Sequence, residues 1–347
     1  MEECVRFLNE CFLKLNQKDI SILIPTLGRP EILLRQINFY IKLKAEFVIN
    51  ICDSTKKPRK SFLKKIDQLS NSIDINYFHE PELNDRQAIL FLINKSITKY
   101  SAFIADDDFF IPRGLKECAE FLDNNSDFRV AYGHSIQVDM ASISKNKNQL
   151  KASHYSGLDI SFDNDNPQNR LDLLSKSYAV SLFGLHRTEE LLSDYLVSGN
   201  ISSQAMGEML VNYLTIARGK SKSLKNPYLI RLNHSGRYLP PNRFVDLMVE
   251  DNFGECIPIF VNEIRNSLLK NKIKENKANE LAKNYIKVIL LNSIQKKFIN
   301  KEYFIINIFK NILSKLKLVK LSINNRIFMN SDYFIRFKYY LDLIRYS

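Results

Sequence analysis

The sequence predicts an α/β protein in which a central sheet is covered by helices on both faces. Strand-like and helix-like segments alternate over the first 135 residues. The strand-like runs are almost continuously apolar, which is typical of strands buried on both sides, and polar residues gather directly after them. The chain has 347 residues, 45% of them hydrophobic, which favours a large folded core and excludes a disordered chain.

Each predicted strand is a short apolar run rich in β-branched or aromatic residues. The runs lie at 20–25, 47–52, 73–78, 101–105 and 128–134. Between them, apolar residues recur at helical intervals of three or four. These helical segments lie at 29–44, in the basic stretch after residue 55, at 85–99 and near 114–124. Pro30 suits the first turn of the first helix.

Composition divides the chain further. Residues 1–19 are predicted to form an N-terminal helix, and 20–135 the first half of the main domain. Residues 136–260 form its second half, in which the polar stretch 136–176 is predicted to be a mobile loop. Residues 261–347 look helical and hold 18 Lys or Arg against 6 Asp or Glu, so this extension carries the whole net charge of +12.

Cysteine usage and the absence of export signals predict where the protein works. The five cysteines lie apart, and none forms a CxxC pair. The first residues do not resemble a signal peptide, and no segment is apolar enough to span a membrane. We therefore expect a reducing, cytoplasmic setting.

Polar groups follow three of the predicted strands. Thr26 and Arg29 follow the first strand, Asp53 follows the second, and three consecutive aspartates, 106–108, follow the fourth. Ligands of such sheets bind at the carboxyl ends of the strands, so we expect these groups to share one site.

The three aspartates are the most unusual of these groups. Adjacent carboxylates after a buried run repel one another unless a positive charge compensates them. A Mg²⁺ or Mn²⁺ ion held by Asp106 and Asp108, together with substrate phosphates, would supply that charge. A solvated acidic turn is the alternative interpretation.

Three segments at these spacings resemble the nucleotide-sugar-binding half of a GT-A glycosyltransferase, close to family 2. They are ISILIPTLGRP, CDST and FIADDDFF. The resemblance covers residues 20–135 most clearly and 177–240 weakly. It implies a Rossmann-like mixed sheet, here with a C-terminal helical extension, and a nucleotide-sugar donor.

The resemblance also implies roles for single residues. Pro25 and Thr26 match the substrate-binding turn after the first strand, and Asp53 matches the residue that contacts the base. Cys52 stands where the family often has a second aspartate, so the identity of the base stays open.

In the DxD motif of that family, Asp106 and Asp108 match the residues that hold the metal and the diphosphate. Asp108 is the direct metal ligand, and Asp107 is assigned to substrate. Arg29 and Arg86 are predicted to bind the phosphates through charge-assisted hydrogen bonds. Ordinary surface arginines are the alternative for these two.

Two further residues complete the predicted site. Glu208, near the start of a helix predicted at 204–217, matches the catalytic base that takes the acceptor proton. Its alternative is a glutamate that complements the helix dipole. His234 matches a further metal ligand found in some GT-A enzymes, and an ordinary loop histidine is the alternative.

The C-terminal extension contains an amphipathic basic helix at 303–318. One hypothesis is that it docks on an anionic membrane face, which would place the protein at the inner side of a membrane. The other is that its apolar stripe packs on the body or on a second copy of the chain, giving a homo-oligomer.

The sequence thus predicts a metal-dependent, inverting glycosyltransferase. It would move a sugar from a nucleotide-sugar to a glycan or lipid-linked acceptor, in surface polysaccharide or glycolipid synthesis. A sugar-nucleotidyltransferase is one alternative, although the single glycine of PTLGRP does not make the Gly-rich loop of that class. A non-catalytic nucleic-acid-binding protein that uses the basic tail is another. We expect no nucleic acid partner, because the body is neutral.

Overall fold

The computed structural model describes residues 19–139, 151–177, 179–199, 201–234, 252–302 and 332–345. Residues 1–18 of the predicted N-terminal helix lie outside the described residues. The predicted amphipathic helix at 303–318 also lies outside them. None of the described helices is both long enough and apolar enough to cross a membrane.

The described strands are numbered in chain order. They are β1 (Ile20–Thr26), β2 (Val48–Asp53), β3 (Ile75–His79), β4 (Tyr100–Phe103), β5 (Phe109–Phe110), β6 (Phe128–Asp139), β7 (Ala152–His154), β8 (Leu185–Arg187) and β9 (Lys220–Asn233). The described α-helices are α1 (Pro30–Lys42), α2 (Lys60–Leu69), α3 (Asp85–Lys95), α4 (Pro112–Asn124), α5 (Pro167–Lys176), α6 (Thr188–Ser198), α7 (Gln204–Arg218), α8 (Phe253–Lys270), α9 (Glu275–Glu302) and α10 (Asp332–Arg345).

The strands form one mixed sheet with the order β3-β2-β1-β4-β8-β6-β9-β5, and β7 pairs with β6. β1 to β4 run parallel, as their alternation with helices predicts. β8 then runs antiparallel between β4 and β6, which makes the sheet mixed. β6 pairs in parallel with β9, and β5 pairs antiparallel with β9. This confirms the predicted fold class.

Helices cover both faces of the sheet, which explains why its strands are apolar without alternation. Ile22 and Ile24 of β1 belong to a core cluster that includes α1 and α4. Leu23, between them, belongs to a second cluster with α3 and α6. Successive side chains of a strand point to opposite faces, so both sets need apolar residues.

The structure corrects the predicted mobile loop at 136–176 in its described parts, 136–139 and 151–176; residues 140–150 lie outside the described residues. β6 continues to Asp139, and the stretch also contains β7 and α5. Within α5, Leu171 is fully buried. A local signal for α5 exists: the side chain of Asn166 accepts a hydrogen bond from the backbone N–H of Gln168, and Pro167 follows at the first helical position. The many polar residues nearby obscured it.

The C-terminal extension packs on the body where it is described. α8 and α9 share a core cluster with α5 and α7, and the boundary predicted from charge at residue 261 falls inside α8. The buried side of α10, including Phe337, joins the core beside α1. Arg35 of α1 donates a hydrogen bond of 2.9 Å to the backbone oxygen of Ile344. These described helices therefore pack on the body, while the two hypotheses for the helix at 303–318 stay predictions.

α4 crosses β9 at very short range. A Cβ atom added to Gly114 of α4 would lie 2.3 Å from the backbone oxygen of Pro227 in β9. Any side chain there forces the helix and the strand apart.

We predict that Gly114→Ala lowers the free energy of unfolding by about 1–3 kcal/mol because of this overpacking. Chemical denaturation measures the effect, provided that the dependence of the free energy of unfolding on denaturant concentration stays the same. Gly254→Ala, in the first turn of α8, is the matched control, since a Cβ atom added there would meet nothing within 4 Å; it should change stability by less than about 0.5 kcal/mol. Equal effects of the two substitutions would contradict the close crossing.

Candidate functional site

A cleft of about 340 Å³ opens at the carboxyl ends of β1, β2 and β4. Seven of the residues predicted from the sequence line it: Pro25, Thr26, Arg29, Arg86, Asp107, Asp108 and Glu208. Three others, Asp53, Asp106 and His234, do not line it, but each bonds to or adjoins a residue that does. The structure therefore gathers the whole predicted set around one cleft.

Asp53 is held rigidly at the end of β2. One carboxylate oxygen accepts a hydrogen bond of 2.8 Å from the backbone N–H of Thr55. The other accepts one of 2.6 Å from the hydroxyl of Tyr77, on the neighbouring strand β3. The side chain is buried, and the next residue, Ser54, lines the cleft. Tyr77 was missed by the sequence reasoning, because it lies within an ordinary apolar run.

The turn after β1 brings Arg29 to the loop that contains Asp106, Asp107 and Asp108, which we call the acidic loop. Gly28 adopts φ +67°, a conformation that favours glycine, and its N–H donates to the Thr55 hydroxyl at 2.7 Å. This turn leads into α1, with Arg29 at its N-cap. The Arg29 guanidinium then pairs with Asp106 and, at 3.2 Å, with Asp107.

Asp106 is fully buried and turned away from the cleft. The Thr26 hydroxyl donates to one of its oxygens at 2.7 Å, and Arg29 pairs with the other. Burial raises the pKa of Asp106 to about 6, although Arg29 and the Thr26 hydrogen bond oppose the rise. In this arrangement Asp106 fixes the turn after β1 to the acidic loop.

Of the three adjacent aspartates, Asp107 and Asp108 line the cleft. His234, just beyond β9, lies with its Nε2 atom 2.8 Å from Asp107, a hydrogen bond when that nitrogen carries the proton. Asp108 accepts 2.8 Å and 3.2 Å hydrogen bonds from the Leu232 backbone N–H and from Arg231 Nε. Burial raises the pKa of Asp108 to about 6, while Arg231 lowers it.

Arg231 is a further residue of the candidate site that the sequence reasoning missed. Its guanidinium lies between the rings of Tyr155 and Phe183, 4.9 Å and 4.8 Å from their centroids, and it donates to the Tyr155 hydroxyl at 3.0 Å. All three side chains line the cleft. The available signal was an arginine in the middle of the strand-like run LIRLN, where a buried strand normally has none.

Glu208 and Arg86 line the cleft from α7 and α3. Arg86, at the start of α3, donates a 2.6 Å hydrogen bond to the backbone oxygen of Ile201, just before α7. Its Nη1 atom packs against Gly207 and has no hydrogen-bond partner among the described residues. The Glu208 carboxylate also has none within the described part of the chain.

Glu208 is accessible to water, because it faces the space of the cleft, but protein atoms surround it on its other sides. This desolvation raises the pKa of its carboxyl above the ordinary value, and the charge of Asp85 adds to the rise while Arg231 opposes it. A carboxyl with a raised pKa is suited to exchanging a proton.

The donor chemistry of the acidic loop fits a divalent cation only in part. Asp107, Asp108 and His234 are ligand types that Mn²⁺ and Mg²⁺ accept. However, no group of three or more His, Cys, Asp or Glu side chains among the described residues is arranged to hold a metal. Arg29 and Arg231 already supply positive charge to the aspartates. A cation here would need oxygens from a bound diphosphate to complete its shell.

The sheet is of the predicted GT-A type. It has parallel strands with polar carboxyl ends, the antiparallel strand β8 and the acidic loop. Comparison with solved structures shows the same fold in S. aureus TarS. The crystal structure of TarS 1-349 matches with a TM-score of 0.55 and 14% identity, over 94% of this chain and 89% of that one. The crystal structure of TarS 1-349 in complex with UDP-GlcNAc matches with a TM-score of 0.52 and 15% identity, over 78% and 72%.

At this level of identity the comparisons show the fold. Neither the comparison with protein-family models nor that with curated proteins finds a match.

We predict that Arg231 and Asp108 are strongly coupled, because each buries a charge against the other. Arg231→Gln and Asp108→Asn should each lower the free energy of unfolding by about 2–4 kcal/mol. The double variant should lose less than the sum, with a coupling of about 1–3 kcal/mol.

Chemical denaturation of the four proteins measures this coupling. The exposed pair Arg113 and Glu117, 2.8 Å apart on α4, serves as the control cycle and should give about 0.3–0.5 kcal/mol. A coupling for Arg231 and Asp108 no larger than this control would contradict the buried pair.

Proposed function

We propose that this protein is a metal-dependent, inverting glycosyltransferase that uses a nucleotide-sugar donor. One observation carries the proposal: the strand-end groups Thr26, Asp107 and Asp108 line the same cleft as the carboxylate of Glu208. The fold shared with TarS, whose structure is solved with UDP-GlcNAc, supports it.

The geometry gives the donor a direction in the cleft. Asp53 and Tyr77 lie at the end of the sheet nearest β3 and are suited to the base. The acidic loop lies at the end of β4 and is suited to the diphosphate with its cation. Glu208, which lines the cleft from α7, is suited to the sugar and the acceptor. The UDP-GlcNAc bound to TarS makes a uridine nucleotide the first donor to test.

The chain's own residues then account for the transfer. Glu208 takes the proton from the acceptor hydroxyl as that oxygen attacks the sugar, and its raised pKa favours holding the proton afterwards. The departing diphosphate gains negative charge, and the fixed cation of Arg231 beside Asp108 stabilises it. A bound Mn²⁺ or Mg²⁺ supplies further Lewis-acid stabilisation of the leaving group.

We further propose a glycan or lipid-linked acceptor and docking on an anionic membrane face. The outer side of α10 supports the docking, since Ile335 and Tyr339 are more than half exposed beside the cation of Lys338. A sugar-nucleotidyltransferase and a nucleic-acid-binding protein are weaker proposals, because PTLGRP does not make the Gly-rich loop of the first class and residues 1–260 carry no net positive charge.

We predict that Glu208→Gln keeps donor binding and lowers the turnover number by about 10²–10⁴, the usual contribution of a general base. Glu189→Gln is the matched control, because Glu189 is an exposed glutamate in the first turn of α6 and lies outside the cleft. Binding is measured by calorimetry and turnover by release of nucleoside diphosphate. Unchanged turnover in Glu208→Gln would remove Glu208 as the base.

We predict that UDP-GlcNAc raises the melting temperature more with Mn²⁺ than without it, since a ligand that binds only the native state stabilises that state. His234→Gln should abolish the metal-dependent part of the shift and keep the metal-free part. His134→Gln, on β6 and outside the cleft lining, is the control. A full metal-dependent shift in His234→Gln would show that His234 is not a ligand.

A further inference from the structure

The side chain of Tyr195, on α6, forms part of the wall of the cleft. The residue is only 4% exposed, yet it lines the cleft. No described residue hydrogen-bonds its hydroxyl. A tyrosine hydroxyl without a partner in the protein bonds to water or to a bound ligand. The hydroxyl is therefore available to a ligand in the cleft.

The Tyr195 hydroxyl keeps its proton at neutral pH, so it can donate a hydrogen bond. Burial raises the pKa of its hydroxyl, and the negative charges of Glu208 and Asp85 raise it further. Glu208 and Arg86 line the same cleft as Tyr195. Arg86 Nη1 has no hydrogen-bond partner among the described residues.

The wall around Tyr195 is otherwise apolar. Ile89 from α3, Leu182 from the turn before β8, and Val211 from α7 pack with Tyr195 in one core cluster and also line the cleft. A hydroxyl group pressed against this wall would lose water and gain no partner. A methyl group there would gain burial.

These two properties together describe one kind of substituent. A carbonyl oxygen can accept a hydrogen bond from Tyr195 while a methyl group on the same carbonyl packs on Ile89 and Val211. An acylamino group has both parts, whereas a plain hydroxyl has neither a carbonyl oxygen nor a methyl group. The base of the donor is not expected at this wall. The residues suited to the base, Asp53 and Tyr77, do not line the cleft here.

We propose that Tyr195, Ile89, Leu182 and Val211 form a subsite for the acylamino substituent of the donor sugar. The subsite deepens the function proposed above and rests on it. Because Glu208 stands beside it, the substituent is held next to the carbon at which transfer occurs. Tyr195 is thus a specificity-determining residue of the donor site.

The test compares donors that differ only at this substituent. The full chain is titrated calorimetrically, in the presence of Mn²⁺, with UDP-GlcNAc against UDP-glucose and with UDP-GalNAc against UDP-galactose. In each pair we expect the acetamido sugar to bind about tenfold more tightly or better, from one hydrogen bond and one buried methyl group.

Two variants assign the preference to the subsite. Tyr195→Phe removes only the hydroxyl and should reduce the preference by about twofold to tenfold, while UDP-glucose binds as before. Val211→Thr keeps the shape of the side chain, adds a hydroxyl to the apolar wall, and should also reduce the preference. Tyr285→Phe, which removes a tyrosine hydroxyl on α9 outside the cleft lining, is the matched control and should leave it unchanged.

Each outcome decides the question. Equal binding of both members of each pair overturns the subsite and leaves the proposed glycosyl transfer intact. An unchanged preference in both Tyr195→Phe and Val211→Thr overturns the assignment to these residues. If the chain binds none of the four nucleotide-sugars, the proposed function fails, and the subsite fails with it.

Discussion

Three adjacent buried carboxylates impose the main constraint on this structure. Asp106, Asp107 and Asp108 are each at most 6% exposed, and removing such charges from water is costly unless opposite charges lie close by. Arg29 approaches from the turn after β1, and Arg231 approaches from β9. The acidic loop is therefore stable only where both halves of the sheet meet around it.

Several neighbouring features follow from this requirement. β5, directly after the acidic loop, pairs with β9, and this pairing brings the Leu232 N–H to Asp108. Gln36, fully buried in α1, donates to the backbone oxygens of Ala105 and Asp108 and so fixes both ends of the loop. The close crossing of α4 and β9 at Gly114 keeps β9 in place for these contacts. The packing of β5, β9, α1 and α4 around the acidic loop thus holds its carboxylates in position.

The sequence predicted most of the local structure and the part of the site that follows β1, β2 and β4. Long apolar runs located β1, β2 and β4 to within a few residues, because strands buried on both faces leave an unmistakable pattern. The residues that follow those strands were found for the same reason. Arg231 and Tyr195 were not, because their importance depends on which distant elements pack beside them. α5 was missed because local capping is a weaker signal than periodicity.

The pairing of Arg231 with Asp108 also shapes the way this protein comes to be folded. The two residues are 123 positions apart in the chain, so the contact closes a long loop and raises the contact order of the sheet. On the ribosome the aspartates are synthesised well before their second arginine exists. The nascent acidic loop must stay hydrated until β9 arrives, and its burial is therefore a late step of folding.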